Sequence, residues 1–126
     1  MVKRVLFVDD DNFLVDIAYQ CLCGKYEVFT TQKSLEALEV FKSDPDKFDI
    51  VITDCCMPDM DGLTLAKKVK EINPAVPIIL CTGFIGTVSP EEIDAIGFAE
   101  ILMKPYLLKD LEDAIEKALN RVTAQV

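Results

Sequence analysis

The sequence has 126 residues, with 13 Lys plus Arg against 22 Asp plus Glu, no histidine, a net charge of −9 and 51% hydrophobic residues. A chain of this length forms one domain, residues 1–126, that buries roughly two thirds of the surface its unfolded form exposes, which excludes disorder and a catalytic domain beside a separate binding domain. The acidic balance repels phosphate backbones and anionic lipid, so neither direct nucleic-acid binding nor membrane binding is expected.

Strand-length apolar runs are predicted at Val5–Val8, Tyr26–Thr30, Asp49–Thr53, Pro77–Cys81 and Ala99–Met103. They are β-branched and aliphatic with little polar alternation, as in a parallel sheet covered on both faces. Helical patterns lie between them. The first spans Asn12–Cys23, with Phe13, Leu14, Ile17, Ala18, Cys21 and Leu22 on one face, Asp11 placed to cap it, and Gly24 placed as a left-handed terminator. Ser34 can cap the second helix, which carries Leu35, Ala37, Leu38 and Phe41 and ends before Pro45. A third, with Leu63, Leu65, Ala66, Val69 and Ile72 facing one way, stops before Asn73-Pro74, and Lys67, Lys68 and Lys70 make its other side basic. Ser89-Pro90-Glu91-Glu92 opens a fourth helix that Gly97 closes, and Leu111, Ala114, Ile115, Ala118 and Leu119 line a fifth over Leu108–Val122.

This βαβαβαβαβα order predicts an α/β fold with a doubly wound, five-stranded parallel sheet in the order 2-1-3-4-5, flavodoxin-like, with ligands bound beyond the carboxyl ends of strands one and three. Asp9, Asp10 and Asp11 end strand one and Asp54 ends strand three. Carboxylates gathered in one crevice repel one another and need a cation, and an all-oxygen set suits Mg²⁺. Thr82 ends strand four and Lys104 ends strand five. A hydroxyl, an ammonium, carboxylates and a metal converging there make a phosphoryl-transfer site, in which Asp54, central between the acid pair and Lys104, is the best placed nucleophile.

These residues carry a resemblance over essentially the whole chain. Val8-Asp9-Asp10, Asp54 followed by Met57-Pro58 and Asp61-Gly62, Thr82, and Lys104-Pro105 resemble the motifs of receiver domains of two-component response regulators. The resemblance implies a (βα)5 receiver fold and a phosphoacceptor signalling module rather than an enzyme, catalysing only its own phosphorylation and dephosphorylation. It implies phosphorylation of Asp54, Mg²⁺ ligation by Asp10, Asp54 and the backbone carbonyl of Cys56, and a water-mediated metal role for Asp9. Thr82 would hydrogen-bond the phosphoryl group, Lys104 would pair with it, and the Lys104-Pro105 bond would be cis. The implied donor is a histidine kinase or histidine phosphotransfer protein docking near helix one, and the implied output face is helix four, strand five and helix five. The stretches around Thr82 and Lys104 are similar to receivers of hybrid sensor histidine kinases, so the chain is either a stand-alone receiver or the receiver part of a larger protein.

Two departures from the family pattern stand out. Ile101 occupies the position, three before the lysine, where the family often has an aromatic switch. Cys56 and Phe84 flank the path of the hydrolytic water and orient it poorly, which predicts a long-lived phosphorylated state. Two competing readings are a haloacid-dehalogenase-like phosphatase using Asp9-x-Asp11, which lacks a segment for a lid, and a flavodoxin-like carrier, whose flavin phosphate three aspartates would repel.

The absence of an apolar run of about 18 residues and the early acids at Asp9–Asp11 argue against a membrane span and a signal peptide, and so for a cytoplasmic protein. Five cysteines, an odd number, read as reduced thiols, and the Cys21/Cys23 and Cys55/Cys56 spacings without histidine argue against zinc. Cys21, Cys23 and Cys81 are expected in the core with Phe7, Phe29 and Phe41. Tyr106 and the Phe84-Ile85-Gly86 loop are expected either to pack as a lid or to face a partner.

Overall fold

The computed structural model describes residues 2–83 and 89–124. Strands β1 (Arg4–Val8), β2 (Glu27–Thr31), β3 (Ile50–Asp54), β4 (Ile78–Thr82) and β5 (Glu100–Met103) alternate with helices α1 (Asn12–Leu22), α2 (Ser34–Ser43), α3 (Gly62–Ile72), α4 (Pro90–Ile96) and α5 (Leu108–Ala124). All strand pairings are parallel and the order is β2-β1-β3-β4-β5, as expected from the alternation. No helix among the described residues is long and apolar enough to cross a membrane.

The central strands β3 and β4 are buried at every residue, which explains their unbroken apolar sequence. One core layer packs Val5, Phe7, Ile50, Ile52 and Ile79 against Ala18 and Leu22 of α1 and Leu111, Ile115 and Ala118 of α5. The opposite layer packs Leu6, Val8, Val51 and Ile78 against Ala37 and Phe41 of α2 and Leu65, Ala66 and Val69 of α3. Edge strand β5 departs from the two-face expectation: Ile101 is 46% and Met103 43% exposed. Its neighbour α4 has seven residues, none of them buried, so that face of the sheet is incompletely covered.

Several local expectations need correction. The buried stripe of α1 is Val15, Ala18 and Leu22, whereas Phe13 is 71% exposed and Cys21 is exposed. Phe13 lies two positions from Val15 and therefore on roughly the opposite side of the helix. Cys23 is also exposed, leaving Cys81 as the one core thiol of the three assigned there. Phe7 and Phe41 are buried, but Phe29 is only partly so, meeting Phe48 edge to face. Gly24 is not left-handed, because Lys25 and Tyr26 donate their N–H groups to the Leu22 carbonyl and the chain leaves α1 through right-handed turns. Gly97, at φ 80°, does end α4 in the left-handed region.

Ser34 is not the cap of α2. The cap position is Lys33, which makes no side-chain cap bond, and Ser34 turns inward to donate its hydroxyl to the Met60 carbonyl at 2.7 Å. The capping is done from outside the helix by Asp59, whose carboxylate accepts the N–H groups of Ser34 and Leu35. Burial alone would raise the pKa of Asp59, but the Leu35 and Ser34 amides outweigh it and hold the carboxyl below its usual range. The β3–α3 loop is thereby fastened to α2. Asp11 and Ser89 cap α1 and α4 as expected.

Candidate functional site

Parallel pairing with this register sets the carboxyl ends of β1, β3 and β4 side by side, and three hydrogen bonds continue the ladders one residue past the strands. Asp9 donates its N–H to the Thr31 carbonyl at 3.2 Å, Cys55 to Cys81 at 2.8 Å and Lys104 to Thr82 at 2.9 Å. The backbones that carry the acid pair, the residue after Asp54 and the lysine are therefore held by the sheet.

Carboxylate oxygens of Asp9, Asp10 and Asp54 lie within 4.8 Å of one another. Asp9 is 1% and Asp54 7% exposed, whereas Asp10 faces solvent. Lys104 reaches in from β5, its Nζ 2.9 Å from Asp9 Oδ2 and 3.1 Å from Asp54 Oδ1. Asp9 also accepts the Asp11 N–H through Oδ1 at 2.9 Å, which fixes its orientation. The sequence-predicted residues Asp9, Asp10, Asp54 and Lys104 thus converge, and Thr82, 3% exposed, lies at the end of the strand beside Asp54. Asp11 is engaged in capping α1, accepting the N–H groups of Phe13 and Leu14, so it is not the free acid that the phosphatase reading requires.

The electrostatics of the pair are unequal. Burial would lower the Lys104 pKa, but the hydrogen bond and charge of Asp9, followed by those of Asp54, outweigh it and hold the ammonium above its ordinary range. Asp54 is nonetheless pushed up, first by burial and then by the charge of Asp9, with Lys104 only partly offsetting them. The two directions are consistent: Lys104 is chiefly compensated by Asp9, and Asp54 is the under-compensated carboxylate. Three acids face one ammonium, a deficit that a divalent cation would remove. The donor set is all oxygen and partly open to water through Asp10, which fits Mg²⁺ better than zinc or copper.

Sequence reasoning missed the part played by Gly62. An added Cβ there would lie 1.9 Å from the Asp54 carbonyl oxygen and 3.1 Å from the Cys55 Cα, so only glycine lets the start of α3 close against the β3 exit. Its N–H donates to the Cys55 carbonyl at 2.8 Å. The glycine was visible in the sequence, but its spacing from Asp54 gave no sign of this backbone approach. Behind the site, Cys55 is 3% exposed and packs with Leu63 and Leu80, and burial followed by the neighbouring Cys56 pushes its pKa to about 11. Tyr106 is half-buried against the core layer that contains Cys81, with burial the main cause of its raised pKa, so it packs inward. The Lys104-Pro105 peptide is cis. Phe84 and its loop lie outside the described residues.

The model of the response regulator receiver domain family matches residues 5–116. The response regulator receiver protein CpdR of Brucella abortus is 35% identical over 119 residues, covering 94% of this chain and 98% of that protein. The transcriptional regulatory protein ZraR of Escherichia coli K12 is 33% identical over 91% of this chain, which spans only 26% of ZraR. In structure, a response regulator receiver domain protein from Clostridium thermocellum superposes with a TM-score of 0.88 at 29% identity, covering 99% of this chain and all of that one.

Proposed function

Because the chain belongs to the response regulator receiver domain family, we propose that it accepts a phosphoryl group on Asp54 from a phosphohistidine of a histidine kinase or histidine phosphotransfer protein. The observation that carries this reading is the position of Asp54: a buried, under-compensated carboxylate flanked by two further acids and one ammonium.

In the transfer, an Asp54 carboxylate oxygen attacks phosphorus. The P–O bond forms as the P–N bond to the donor imidazole breaks, and the nitrogen leaves with the electron pair. Asp9, Asp10, Asp54 and the Cys56 carbonyl would hold Mg²⁺, whose charge neutralises the acids and the incoming phosphoryl oxygens. Lys104 needs little rearrangement to exchange its contact with Asp54 for one with a phosphoryl oxygen, and Asp9 keeps it in place. Thr82 supplies a hydroxyl beside the acceptor. Fixed charges and donors of this kind are the main source of catalysis in phosphoryl transfer.

The output face proposed is α4, β5 and α5. Exposed Ile101 and Met103 adjoin a groove of about 360 Å³ between β5 and α5, whose lining includes Glu100, Asp110 and Asp113. Lys104 follows Met103 directly, so a shift of the ammonium reaches this face through one peptide. Incubation with a radiolabelled phosphohistidine donor should move label to this chain through a hydroxylamine-sensitive linkage. Label that stays on the donor, or that resists hydroxylamine, contradicts the acyl-phosphate reading.

A further inference from the structure

The connection between β3 and α3 carries one group of the proposed site, the Cys56 carbonyl, that neither element holds. The base of this loop is closed by the Gly62 N–H, which donates to the Cys55 carbonyl at 2.8 Å. The Cys56 side chain is exposed, so its own packing contributes little to placing the backbone around it. The residues that follow it must do so.

Those residues are fastened to the first turn of α2. The Asp59 carboxylate accepts the Leu35 N–H through Oδ2 at 2.9 Å and the Ser34 N–H through Oδ1 at 3.3 Å. In the reverse sense, the Ser34 hydroxyl donates to the Met60 carbonyl at 2.7 Å and lies 3.3 Å from the Met57 sulfur. Ser34 is fully buried, and Met57 packs in the core layer that contains Ala37 and Leu38. Met57 alone, through a flexible unbranched side chain, would fix the backbone less firmly than directed bonds to a carboxylate and a carbonyl. Asp59 and Asp10 line one groove of about 650 Å³, yet Asp59 is not one of the three acids whose oxygens gather at the site. It is placed to act on the cation through the loop rather than as a ligand.

We propose that Asp59 and Ser34 are positioning residues for the cation: their clasp between α2 and the loop holds the Cys56 carbonyl, and thereby sets the affinity of the metal site and its preference for a small ion. Magnesium demands near-ideal octahedral geometry, whereas calcium tolerates irregular sets of six to eight oxygens. A loosened carbonyl therefore weakens magnesium more than calcium.

The inference rests on the magnesium site proposed above, and titrations of isotopically labelled protein with magnesium chloride and with calcium chloride, followed by amide shifts, separate the two. If magnesium leaves the parent amides around Asp10 and Asp54 unmoved, the site and the role of the clasp fall together. With the parent binding, Asp59→Ala should raise the magnesium Kd roughly tenfold, the lower end of what groups that hold a metal ligand contribute, and the calcium Kd by less than about threefold. Asp59→Asn removes the same charge but keeps an oxygen for the Leu35 N–H, so it should restore most of the magnesium affinity. Ser34→Ala cuts the clasp from the other side and should also weaken magnesium, with a double variant that falls short of the product of the two single effects. Asn73→Ala cuts a comparable tie at the far end of α3, where the Asn73 amide donates to the Pro45 carbonyl at 3.0 Å, and should leave the magnesium Kd unchanged. A magnesium Kd in Asp59→Ala within about twofold of the parent overturns the inference. So does an Asp59→Asn variant as weak as Asp59→Ala, which assigns the effect to charge, or a loss in Asn73→Ala or for calcium as large as the magnesium loss in Asp59→Ala, which assigns it to general loosening.

Discussion

Lys104 makes its shorter contact, 2.9 Å, with Asp9 rather than with Asp54, which it approaches at 3.1 Å. Asp9 is the more deeply buried of the two acids, and its other oxygen is held by the Asp11 N–H. The lysine is thus anchored on Asp9 and leans against Asp54, the proposed acceptor. Anchoring of this kind lets Lys104 follow a new charge on Asp54 without losing its own compensation.

Lys104→Ala should retain the fold yet lose stability, because Asp9 and Asp54 are left without their cation. Removing one partner of a buried pair costs roughly 3–5 kcal/mol, and with the Lys104 side chain 22% exposed, solvent screening reduces this to about 2 kcal/mol. Urea unfolding checks the stability. Amide shifts on phosphorylation should shrink at Ile101 and Met103, and shifts equal to those of the parent contradict the role of the ammonium.

Asp54→Asn should stabilise the metal-free protein. A carboxyl whose pKa is raised on folding binds its proton more tightly in the native state, so stability is lost as pH rises from the ordinary aspartate range through the raised value. The neutral amide avoids that loss. At pH 7 in EDTA the variant should melt above the parent, and the gain should vanish near pH 3, where the parent carboxyl is protonated in both states. A gain that persists unchanged at low pH points to packing rather than charge.

By binding the folded state, magnesium should stabilise it by about 2.7 kcal/mol at a hundredfold excess over Kd and so raise the melting temperature. Asp10→Asn, at an exposed position that makes little packing contribution, should keep the metal-free melting temperature within about 1 °C and greatly weaken the magnesium increment. An undiminished increment in this variant removes Asp10 from the metal site.

Gly62→Ala should be among the most damaging conservative changes, since its Cβ meets backbone rather than a flexible side chain. Displacing either the β3 exit or the first turn of α3 costs at least about 3 kcal/mol. Circular dichroism melts report that loss. Magnesium affinity should fall as well, because Asp54 moves with its own carbonyl, and a variant that melts like the parent contradicts the close approach.

Much of this architecture was legible because hydrophobic runs and caps act locally. The β3 and β4 runs and the Ser89-Pro90 start of α4 each state their conformation within a few residues, and the alternation of elements then leaves few topologies. The acids and Lys104 were legible as a site because parallel strands bring their carboxyl ends to one crevice. What escaped was set by distant partners. Asp59 caps α2 across 24 and 25 residues of sequence, displacing Ser34 from that role, and nothing near Ser34 announces it. Phe13 reads as apolar and therefore inner, yet α1 meets the sheet through Val15, Ala18 and Leu22. The short α4 similarly leaves Ile101 and Met103 uncovered, which the composition of β5 could not reveal.

The central claim is that Asp54 is the acceptor and that transfer onto it needs a divalent cation. Intact mass after incubation with acetyl phosphate tests both at once, comparing the parent with Mg²⁺, the parent with excess EDTA, and Asp54→Asn with Mg²⁺. The account predicts addition of one phosphate in the first sample alone, because without the cation Asp9, Asp10 and Asp54 together repel the incoming phosphoryl oxygens. Equal labelling in EDTA, or labelling that survives Asp54→Asn, would contradict it.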